Sequence, residues 1–385
     1  MKTNKKQNIA VIFGGISVEH DISIITGVQT INALKKNMQN IIPIYITRSG
    51  EWVTGEKLWD LSTYSNFKVS GISRLSLVCG GVKKDGFLGG KTIKIDFVYL
   101  ALHGSFGENG GVQGLLDIYK IPYSSCGVLG SSVGMDKYLT KLLCKSQKIP
   151  VVAGVLLREE DKTRDFTEIH KKVSKLSFPL VVKPNSLGSS IGVSFCKTQK
   201  ELKDAISFAF MFDTEVLIEK AVENLVEYNI AVVGNRFSCE VSNIEQVSPD
   251  NSILSFEGKY MSQNGAKGME SLSRIVPAKL DATIQKEIED VAKKLYKLLY
   301  LKGVVRLDFL CDTKTGKIYF NEINTIPGSL ANYLFKNHNY NFGALLEKMK
   351  DYALMENEIL SQKLRRFSST VLKDVGKGRK IDIKK

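Results

Sequence analysis

The sequence predicts a protein of more than one domain, α/β in its first third and α+β beyond it. Its 385 residues exceed what one compact core accommodates. The chain opens with an apolar run, a glycine pair and a helical pattern, which is the order of an open α/β unit. Further along, two β-rich runs joined by a short polar turn at residues 312–316 indicate a hairpin.

The first domain, residues 1–125, is predicted from strand and helix patterns that alternate. Apolar, β-rich runs at Asn8–Phe13, Ile41–Ile46 and Phe97–Leu102 predict strands. A glycine pair predicts a turn after the first strand, and Glu19–Leu34, which begins with acidic residues, predicts a helix. This alternation favours an open α/β sheet.

The second and third domains, residues 126–222 and 223–350, are predicted to be α+β. Within Met135–Ile149, apolar residues recur at helical spacing at Leu139, Leu142 and Leu143. Further strands are predicted at 178–183, 191–195, 230–233, 304–310 and 318–320, and a long helix at 282–300. Residues 351–385 begin as a predicted helix and end in a basic tail, Gly376–Lys385, which we expect to fray and to be dispensable for catalysis.

Composition excludes several classes of protein. Hydrophobic residues make up 43% and charged residues 24%, and no apolar run approaches the roughly 20 residues that span a bilayer, so we expect no membrane insertion. The apolar run Ile9–Phe13 is too short for a signal peptide, so we expect a cytoplasmic protein. Six scattered cysteines without a Cys-x-x-Cys pair indicate neither a zinc site nor a disulfide framework.

The net charge of +14 raises the alternative of a nucleic-acid binder. Half of that excess lies in Lys363–Lys385, which has nine Lys and Arg residues against two Asp. Because the sequence has no zinc-finger, RNA-recognition or basic-zipper pattern, and no basic patch interleaved with aromatic residues, we expect no nucleic-acid partner.

A loop rich in glycine and serine, Gly188–Val193, follows the predicted strand that ends at Lys183. No helical pattern follows it, whereas the P-loop and the dinucleotide fingerprint both open a helix. Backbone N–H groups of such a hairpin can approach phosphate oxygens closely, and a lysine at its edge adds a cation. The pattern therefore indicates either a nucleotide lid or a plain tight hairpin.

The most specific pattern lies on the predicted hairpin of the third domain. Side chains alternate along a strand, so Arg306 and Asp308 share one face, and Glu322 and Asn324 share one face of the partner strand. Carboxylate and amide oxygens are ligands that suit magnesium and leave room for phosphates. The residues between them are apolar, which favours one packed face and one charged face over a fully solvated hairpin.

Six motifs in this order resemble those of the D-alanine–D-alanine ligases of the ATP-grasp superfamily, over about residues 8–328. They are Gly14–His20, Leu102–Glu108, Met135–Lys137, Lys183-Pro184 with Gly188–Gly192, Arg306–Asp308, and Asn321–Gly328. The resemblance implies a three-domain ATP-grasp fold that holds ATP between its second and third domains. It also implies that one D-alanine carboxylate takes the γ-phosphate of ATP and that the amine of a second D-alanine attacks the acyl phosphate, supplying D-alanyl-D-alanine for peptidoglycan synthesis.

The resemblance further implies residue roles. ATP would contact Lys137, Lys183, Ser190, Glu219, Lys220, Val222, Glu227 and Lys259. Two magnesium ions, with manganese as an alternative, would be held by Asp308, Glu322 and Asn324, and catalysis would involve Glu19, Ser189, Tyr260, Arg306 and the backbone N–H of Gly328. The segment 222–226 is about one residue longer than the family's usual link, which bears on the ribose role of Glu227.

The substrates would be bound by Glu19, His103, Ser329 and Tyr333. Glu19 would anchor the donor ammonium, although a helix-capping Glu19, a core His103 and a packed loop Tyr260 are the structural alternatives. After Gly328 the sequence departs from the family's usual serine-rich stretch, because Tyr333 stands where a small serine is common. D-serine, D-lactate or another amino acid therefore remains open as acceptor, as does an ATP-binding relative without turnover, and the family precedent implies a homodimer.

Overall fold

The computed structural model describes residues 6–35, 40–68, 71–86, 90–163, 166–247, 274–338 and 340–363. Its strands are β1 Asn8–Gly14, β2 Asn40–Ile46, β3 Trp52–Thr54, β4 Ser73–Val78, β5 Gly81–Lys84, β6 Lys91–Lys94, β7 Phe97–Leu100, β8 Gly154–Arg158, β9 Leu180–Pro184, β10 Ser194–Cys196, β11 Glu215–Lys220, β12 Leu225–Gly234, β13 Cys239–Val247, β14 Arg274–Ile275, β15 Gly303–Asp312 and β16 Lys317–Asn324. Its α-helices are α1 His20–Leu34, α2 Ser105–Glu108, α3 Gly111–Ile118, α4 Val128–Met135, α5 Lys137–Ser146, α6 Phe166–Val173, α7 Gln199–Ala209, α8 Ala282–Leu298 and α9 Phe342–Ser361. No helix among the described residues is long and apolar enough to cross a membrane.

The first sheet has seven strands in the order β6-β5-β4-β3-β2-β1-β7. β2, β1 and β7 are parallel, and β3 to β6 extend the sheet with antiparallel pairs. Helix α1 lies directly on β1, because a Cβ built on Gly27 would stand 2.4 Å from the Phe13 ring. The predicted open α/β first domain is confirmed, and the carboxyl ends of its parallel strands form the edge where such sheets bind ligands.

The second sheet has four antiparallel strands in the order β10-β9-β11-β8, and its core packs against α6 and α7. The strand predicted at 191–195 begins later, at Ser194, because residues 188–192 form turns in which Ser189, Ser190 and Gly192 have positive φ. The small residues of this loop thus lie outside the ladder, at the edge of the sheet.

The third sheet has the order β14-β13-β12-β15-β16. Alternation along its central strands divides its residues between two sides. Ile230, Val232, Val305 and Leu307 pack with α8, whereas Ala231 and Val233 join the core that contains α9 and the first sheet. Helix α8 therefore covers one face of the third sheet, and the other face packs into the core that contains α9 and the first sheet.

The helix predicted over Met135–Ile149 is only partly confirmed. Two helices, α4 and α5, meet at Asp136, which leaves helical geometry (ψ 101°) and accepts a hydrogen bond from the Leu139 N–H as the N-cap of α5. The leucines that predicted this helix are its exposed side: Leu139, Leu142 and Leu143 are 48%, 41% and 37% exposed. Its buried side consists of Lys137, Thr140, Lys141 and Cys144.

Candidate active site

The predicted hairpin face brings four polar side chains together on β15 and β16. Asp308 pairs directly with Glu322, and Arg306 with Asn324, so all four project from one face. The Arg306 guanidinium donates two parallel hydrogen bonds to the Asp308 carboxylate, each of 2.7 Å, and the Asn324 amide donates a third at 3.0 Å. The prediction of a shared charged face is confirmed, because the alternation of the two strands and their register agree.

This polar row extends across two more strands, which sequence reasoning missed. Asn229 on β12 pairs with Asp308 on one side and with Glu245 on β13 on the other, so Glu245, Asn229, Asp308 and Glu322 lie side by side across four strands. Glu245 is fully buried and accepts hydrogen bonds from the Asn229 amide and the Tyr333 hydroxyl, both at 3.1 Å. The alternation of Glu227 and Asn229 with apolar neighbours at the start of β12 was the signal available in the sequence.

Tyr333 therefore has its hydroxyl engaged with a carboxylate, not with open solvent. The Glu245 carboxylate also pairs with Arg274 at 3.2 Å. Burial is the main cause that raises the pKa of Tyr333 to about 12, so the phenol remains a hydrogen-bond donor at neutral pH.

A cluster of lysines faces the same cleft from the second sheet and from α5. The Lys183 ammonium lies 2.6 Å from one oxygen of Glu219, and Lys141 pairs with the other oxygen. Burial alone would raise the pKa of Glu219, but the two ammonium groups lower it to about 2. Burial lowers the pKa of Lys141 to about 8, because desolvation outweighs the attraction of Glu219.

Lys141 is a second residue that sequence reasoning missed, although it lies one helical turn after Lys137 on the same face of α5. The start of α5 is fixed by Asn185, directly after β9. The Asn185 carbonyl accepts from the Lys137 N–H at 3.2 Å, and its side chain accepts from the Tyr138 N–H at 2.9 Å. In this position the Lys137 ammonium lies 3.4 Å from a carboxylate oxygen of Glu322. Lys137, the first of the lysines predicted to contact phosphate, thus lies next to the predicted metal site.

Three other residues that were predicted to contact the nucleotide lie on or next to β11 and β12. The Lys220 ammonium, one residue after Glu219, points away from the lysine cluster and donates to the Ser177 hydroxyl at 2.7 Å. Val222 is partly buried just after β11, and Glu227 lies on β12 two residues before Asn229, on the same face. Lys259 and Tyr260 lie outside the described residues, as does Gly376–Lys385.

The glycine-rich loop contacts the first domain through Ser189. Its hydroxyl donates to the Glu19 carboxylate, just before α1. Glu19 is buried, which raises its pKa, while the Ser189 hydrogen bond and the Lys137 charge lower it. The other Glu19 oxygen is buried without a hydrogen-bond partner among the residues that the structure describes. Ser190, next to Ser189, also has a positive φ. The geometry therefore brings together Glu19, Ser189 and Lys137, which come from three separate sequence motifs.

The segment after Asn324 returns to the first domain. His103 is buried, and its Nε2 lies 2.8 Å from the Thr26 hydroxyl. Burial lowers the pKa of His103 to about 4, so the imidazole is neutral at physiological pH. Gly328 lies beside open space, since no described atom lies within 4 Å of the position that a Cβ would take, and Ser329 is buried next to it. His103 is thus buried beside Thr26, and its contact with substrate stays a prediction.

A cavity of about 300 Å³ lies next to this region at the carboxyl edge of the first sheet. Its lining includes Gly15, Ser17, Trp52, His103 and Gly104. A Cβ on Gly104 would come within 2.5 Å of the Glu19 carboxylate, so this glycine permits the close approach of the two loops.

The donor set on β15 and β16 fits a divalent cation. Asp308 and Glu322 supply anionic oxygens on neighbouring strands, and Asn324 supplies an amide. Within the described part of the chain, no group of three or more His, Cys, Asp and Glu side chains is placed to hold a metal ion, so a cation here would depend on these two carboxylates and the amide. Two carboxylates and an amide are few ligands, which suits magnesium because it keeps waters and phosphates in its coordination sphere.

A four-stranded sheet with a glycine-rich loop, facing a five-stranded sheet with this oxygen row, defines an ATP-grasp ligase. The described chain is similar to the D-Ala:D-Ser ligase of Enterococcus faecalis, with 29% identity, a TM-score of 0.78, and 91% and 100% of the two chains covered. It is similar to the D-alanine–D-alanine ligase of Helicobacter pylori, with 31% identity, a TM-score of 0.73, and 90% and 98% covered.

Family models and curated relatives agree with this class. Models described as the N-terminus and the C-terminus of D-ala D-ala ligase match residues 8–126 and 143–351. The D-alanine–D-alanine ligase of Thermosipho melanesiensis is 39% identical over 351 residues, which are 90% of this chain and 93% of the relative, and that of Caldicellulosiruptor bescii is 37% identical over 361 residues, 91% and 96%. The chain belongs to the D-alanine–D-alanine ligase family. It is an enzyme of the ADP-forming ligase class, which confirms the family and the fold expected from the six motifs.

Proposed function

We propose that this chain joins two D-alanine molecules to D-alanyl-D-alanine with hydrolysis of ATP to ADP and phosphate, in support of peptidoglycan synthesis. The donor carboxylate attacks the γ-phosphorus, ADP leaves, and an acyl phosphate forms. The neutral amine of the acceptor then attacks the acyl carbon, and the tetrahedral intermediate expels phosphate and loses a proton. The family membership and the site geometry both support this reaction.

The donor amino acid is held at Glu19. Its buried, unpartnered carboxylate oxygen suits an ammonium group, which would satisfy both its charge and its hydrogen-bonding capacity. Ser189 holds the other oxygen and so orients the carboxylate. Ser17, His103 and Gly104 line the adjoining cavity, which has room for a small side chain. Tyr260 would close this side of the site.

Nucleotide phosphates are held by Lys137 and Lys183, with Lys259 and the backbone of Ser189 and Ser190 as further donors. Glu219, Lys220 and Val222 would border the adenine, and Glu227 the ribose hydroxyls. Asp308, Glu322 and Asn324 would hold two magnesium ions, or manganese ions in their place, which neutralise the charge that develops on the β- and γ-phosphates. Lys137, 3.4 Å from Glu322, adds a fixed cation to the same position.

The second step needs donors for the developing oxyanion. Arg306 and the Gly328 N–H fill this role, because Arg306 is bonded to Asp308 of the metal row and Gly328 lies beside open space. Asp308 holds the guanidinium plane by two hydrogen bonds and so orients it before the substrate arrives.

One observation carries the proposal: Lys137, at the start of α5, lies 3.4 Å from Glu322 on β16, while Glu19 of the first domain is bonded to the lid. All three domains thereby converge on one cleft. We propose their extents as residues 1–125, 126–222 and 223–350, followed by the helix and tail of 351–385. We also propose a homodimer, which the elution volume and light scattering of the native chain would test.

One observation favours an acceptor other than D-alanine. The small serine expected for the acceptor carboxylate is replaced by Tyr333, whose hydroxyl already donates to Glu245. A structural neighbour is a D-Ala:D-Ser ligase, so D-serine is the first alternative to D-alanine. Under this alternative, the first half-reaction is unchanged and the second shows a raised Michaelis constant for D-alanine.

The test is phosphate release from ATP and magnesium, measured with single amino acids and with pairs. The panel contains D-alanine, D-serine, D-lactate and the L-amino acids, and the products are identified by mass. We expect D-alanine to be required and D-alanyl-D-alanine to form. Release that does not depend on any D-amino acid would contradict the proposed function.

A further inference from the structure

The loop that carries Gly328 is tied to the first domain on both sides of the glycine. Two residues before it, the Ile326 N–H donates to the Glu108 carboxylate at 3.1 Å. One residue after it, the Ser329 N–H donates to the Thr26 hydroxyl at 3.1 Å. Both contacts are buried, and each joins residues more than 200 positions apart in the chain. The first domain therefore determines where this backbone N–H points.

Thr26 connects the loop to His103 as well. Since the Ser329 N–H occupies one lone pair of the Thr26 oxygen, the hydroxyl proton is available for His103 Nε2, 2.8 Å away. The same imidazole has a hydrogen bond to the Ile326 backbone, which needs a proton on Nδ1. These bonds assign His103 as the neutral Nδ1–H tautomer. The imidazole thus bridges Thr26 and Ile326, the attachment points on either side of Gly328.

Glu108 makes the second attachment, from the end of α2. Its carboxylate accepts from the Gly104 N–H at 2.7 Å and from the Ile326 N–H at 3.1 Å, and the Thr325 hydroxyl lies 3.5 Å away. It therefore joins the loop that borders Glu19 to the loop that carries Gly328. Glu108 belongs to the motif Leu102–Glu108, yet neither the nucleotide nor the metal role accounts for it.

The backbone beyond Gly328 needs such attachment. Ser329, Leu330 and Ala331 all have left-handed φ values, 51°, 49° and 46°. Three successive residues of this kind cost free energy, because Cβ crowds the following carbonyl oxygen. Such a conformation persists only when surrounding contacts over-determine it. The contact of Ser329 with Thr26 falls at the first of the three.

We propose that Thr26 and Glu108 are positioning residues that hold the Gly328 N–H in place as the oxyanion donor of the second half-reaction. The proposal rests on the proposed function, in which Gly328 stabilises the tetrahedral intermediate. Both side chains act through the backbone of the loop, at Ile326 and Ser329. Their effect is on a rate, because an oxyanion donor acts on charge that appears only in the transition state.

The experiment compares Thr26→Val with Thr30→Val in the full-length chain. Both threonines are buried on α1, one turn apart, but the Thr30 hydroxyl donates only to the Thr26 carbonyl of its own helix. We expect Thr26→Val to lower kcat by about ten- to a hundredfold, the range for a misplaced oxyanion donor, with the KM for ATP within about twofold of wild type. Thr30→Val should leave kcat within about twofold of wild type, and Thr26→Ser should restore it.

A second readout separates positioning from general destabilisation. A phosphinate analogue of D-alanyl-D-alanine imitates the tetrahedral intermediate, so its affinity should fall by the same factor as kcat in Thr26→Val, and ADP affinity should not change. Equal kcat in the two valine variants would overturn the proposal, as would unchanged phosphinate affinity in a slow Thr26→Val. If Thr26→Val does not fold, Glu108→Gln decides by the same readouts. Wild-type chain that forms no D-alanine-dependent ADP would instead refute the proposed function, before any variant is made.

Discussion

Glu108 should make the unliganded enzyme less stable as pH rises towards neutrality. Its carboxyl is buried, and burial, followed by the nearby Glu19 carboxylate, raises its pKa from 4.5 to about 7, although the Gly104 and Ile326 N–H groups oppose this. The folded chain therefore keeps this proton up to about pH 7, whereas the unfolded chain loses it above about pH 4.5.

The magnitude follows from linkage. A pKa raised in the folded state contributes stability that is fully present below the unfolded value and is lost as pH rises through the folded value. The separation of about 2.5 units, at about 1.4 kcal/mol per unit, gives on the order of 3 kcal/mol lost between pH 4.5 and 7. The Glu19 carboxylate contributes to the raised pKa of Glu108. Glu19→Gln removes this like charge, so the loss of stability should occur at lower pH.

The assay is urea unfolding of the apoenzyme from pH 5 to 8. Glu108→Gln cannot ionise, so the free energy of unfolding of wild type, taken relative to this variant, should fall by about 2 to 3 kcal/mol over that range. Glu287→Gln, at an exposed position of α8, serves as the control and should follow wild type. Parallel pH profiles for wild type and Glu108→Gln would show that Glu108 is ionised with an ordinary pKa, and would refute the reasoning.

Three further outcomes test the rest of the site. Asp308→Asn or Glu322→Gln should abolish ligation without lowering the thermal midpoint markedly, because each removes an anionic metal ligand; near-native turnover would exclude these residues from the mechanism. Lys141→Met should raise the KM for ATP and lower the free energy of unfolding by about 3 kcal/mol, because it breaks a buried ion pair. Lys145 is exposed one turn later, so Lys145→Met should have neither effect. Nucleotide titration and urea unfolding would measure the two effects. Tyr333→Phe should change the Michaelis constant of the acceptor and leave the first half-reaction unaltered; unchanged kinetics in both steps would place the acceptor carboxylate elsewhere.

The oxygen row on β15 and β16 was predictable because strand alternation has a period of two residues. Once Arg306 and Asp308 are assigned to one strand, and Glu322 and Asn324 to the next, a short turn leaves few registers that pair them. The extension of the row to Asn229 and Glu245 was not predictable in this way. Those residues enter the row through pairings of β12 with β13 and β15, and the second of these joins positions about 80 residues apart, which no local pattern specifies.

The attachment of Gly328 to the first domain was hidden for the same reason. Thr26 is an ordinary buried position of α1, and nothing in its neighbourhood marks its hydroxyl as a partner for Ser329. His103 was predicted from its motif to bind substrate, and it lines the cavity beside Glu19. Its contact with Thr26, which also supports the Gly328 loop, could not be predicted from the motif. A motif indicates that a residue is needed, and only the fold shows which atoms it contacts.

Helix α5 shows why pattern rules fail at such a site. Its leucines suggested a helix by their spacing, and a helix normally buries its apolar side. Here Lys137 and Lys141 lie on the buried side. The carboxylates of Glu322 and Glu219 pair with their ammonium groups and offset the free-energy cost of desolvating them. When anionic phosphates enter the cleft, they become further partners for the same lysines. The inverted helix is therefore explained by the two carboxylates opposite it, and the leucine pattern could not predict this because both carboxylates come from distant parts of the chain.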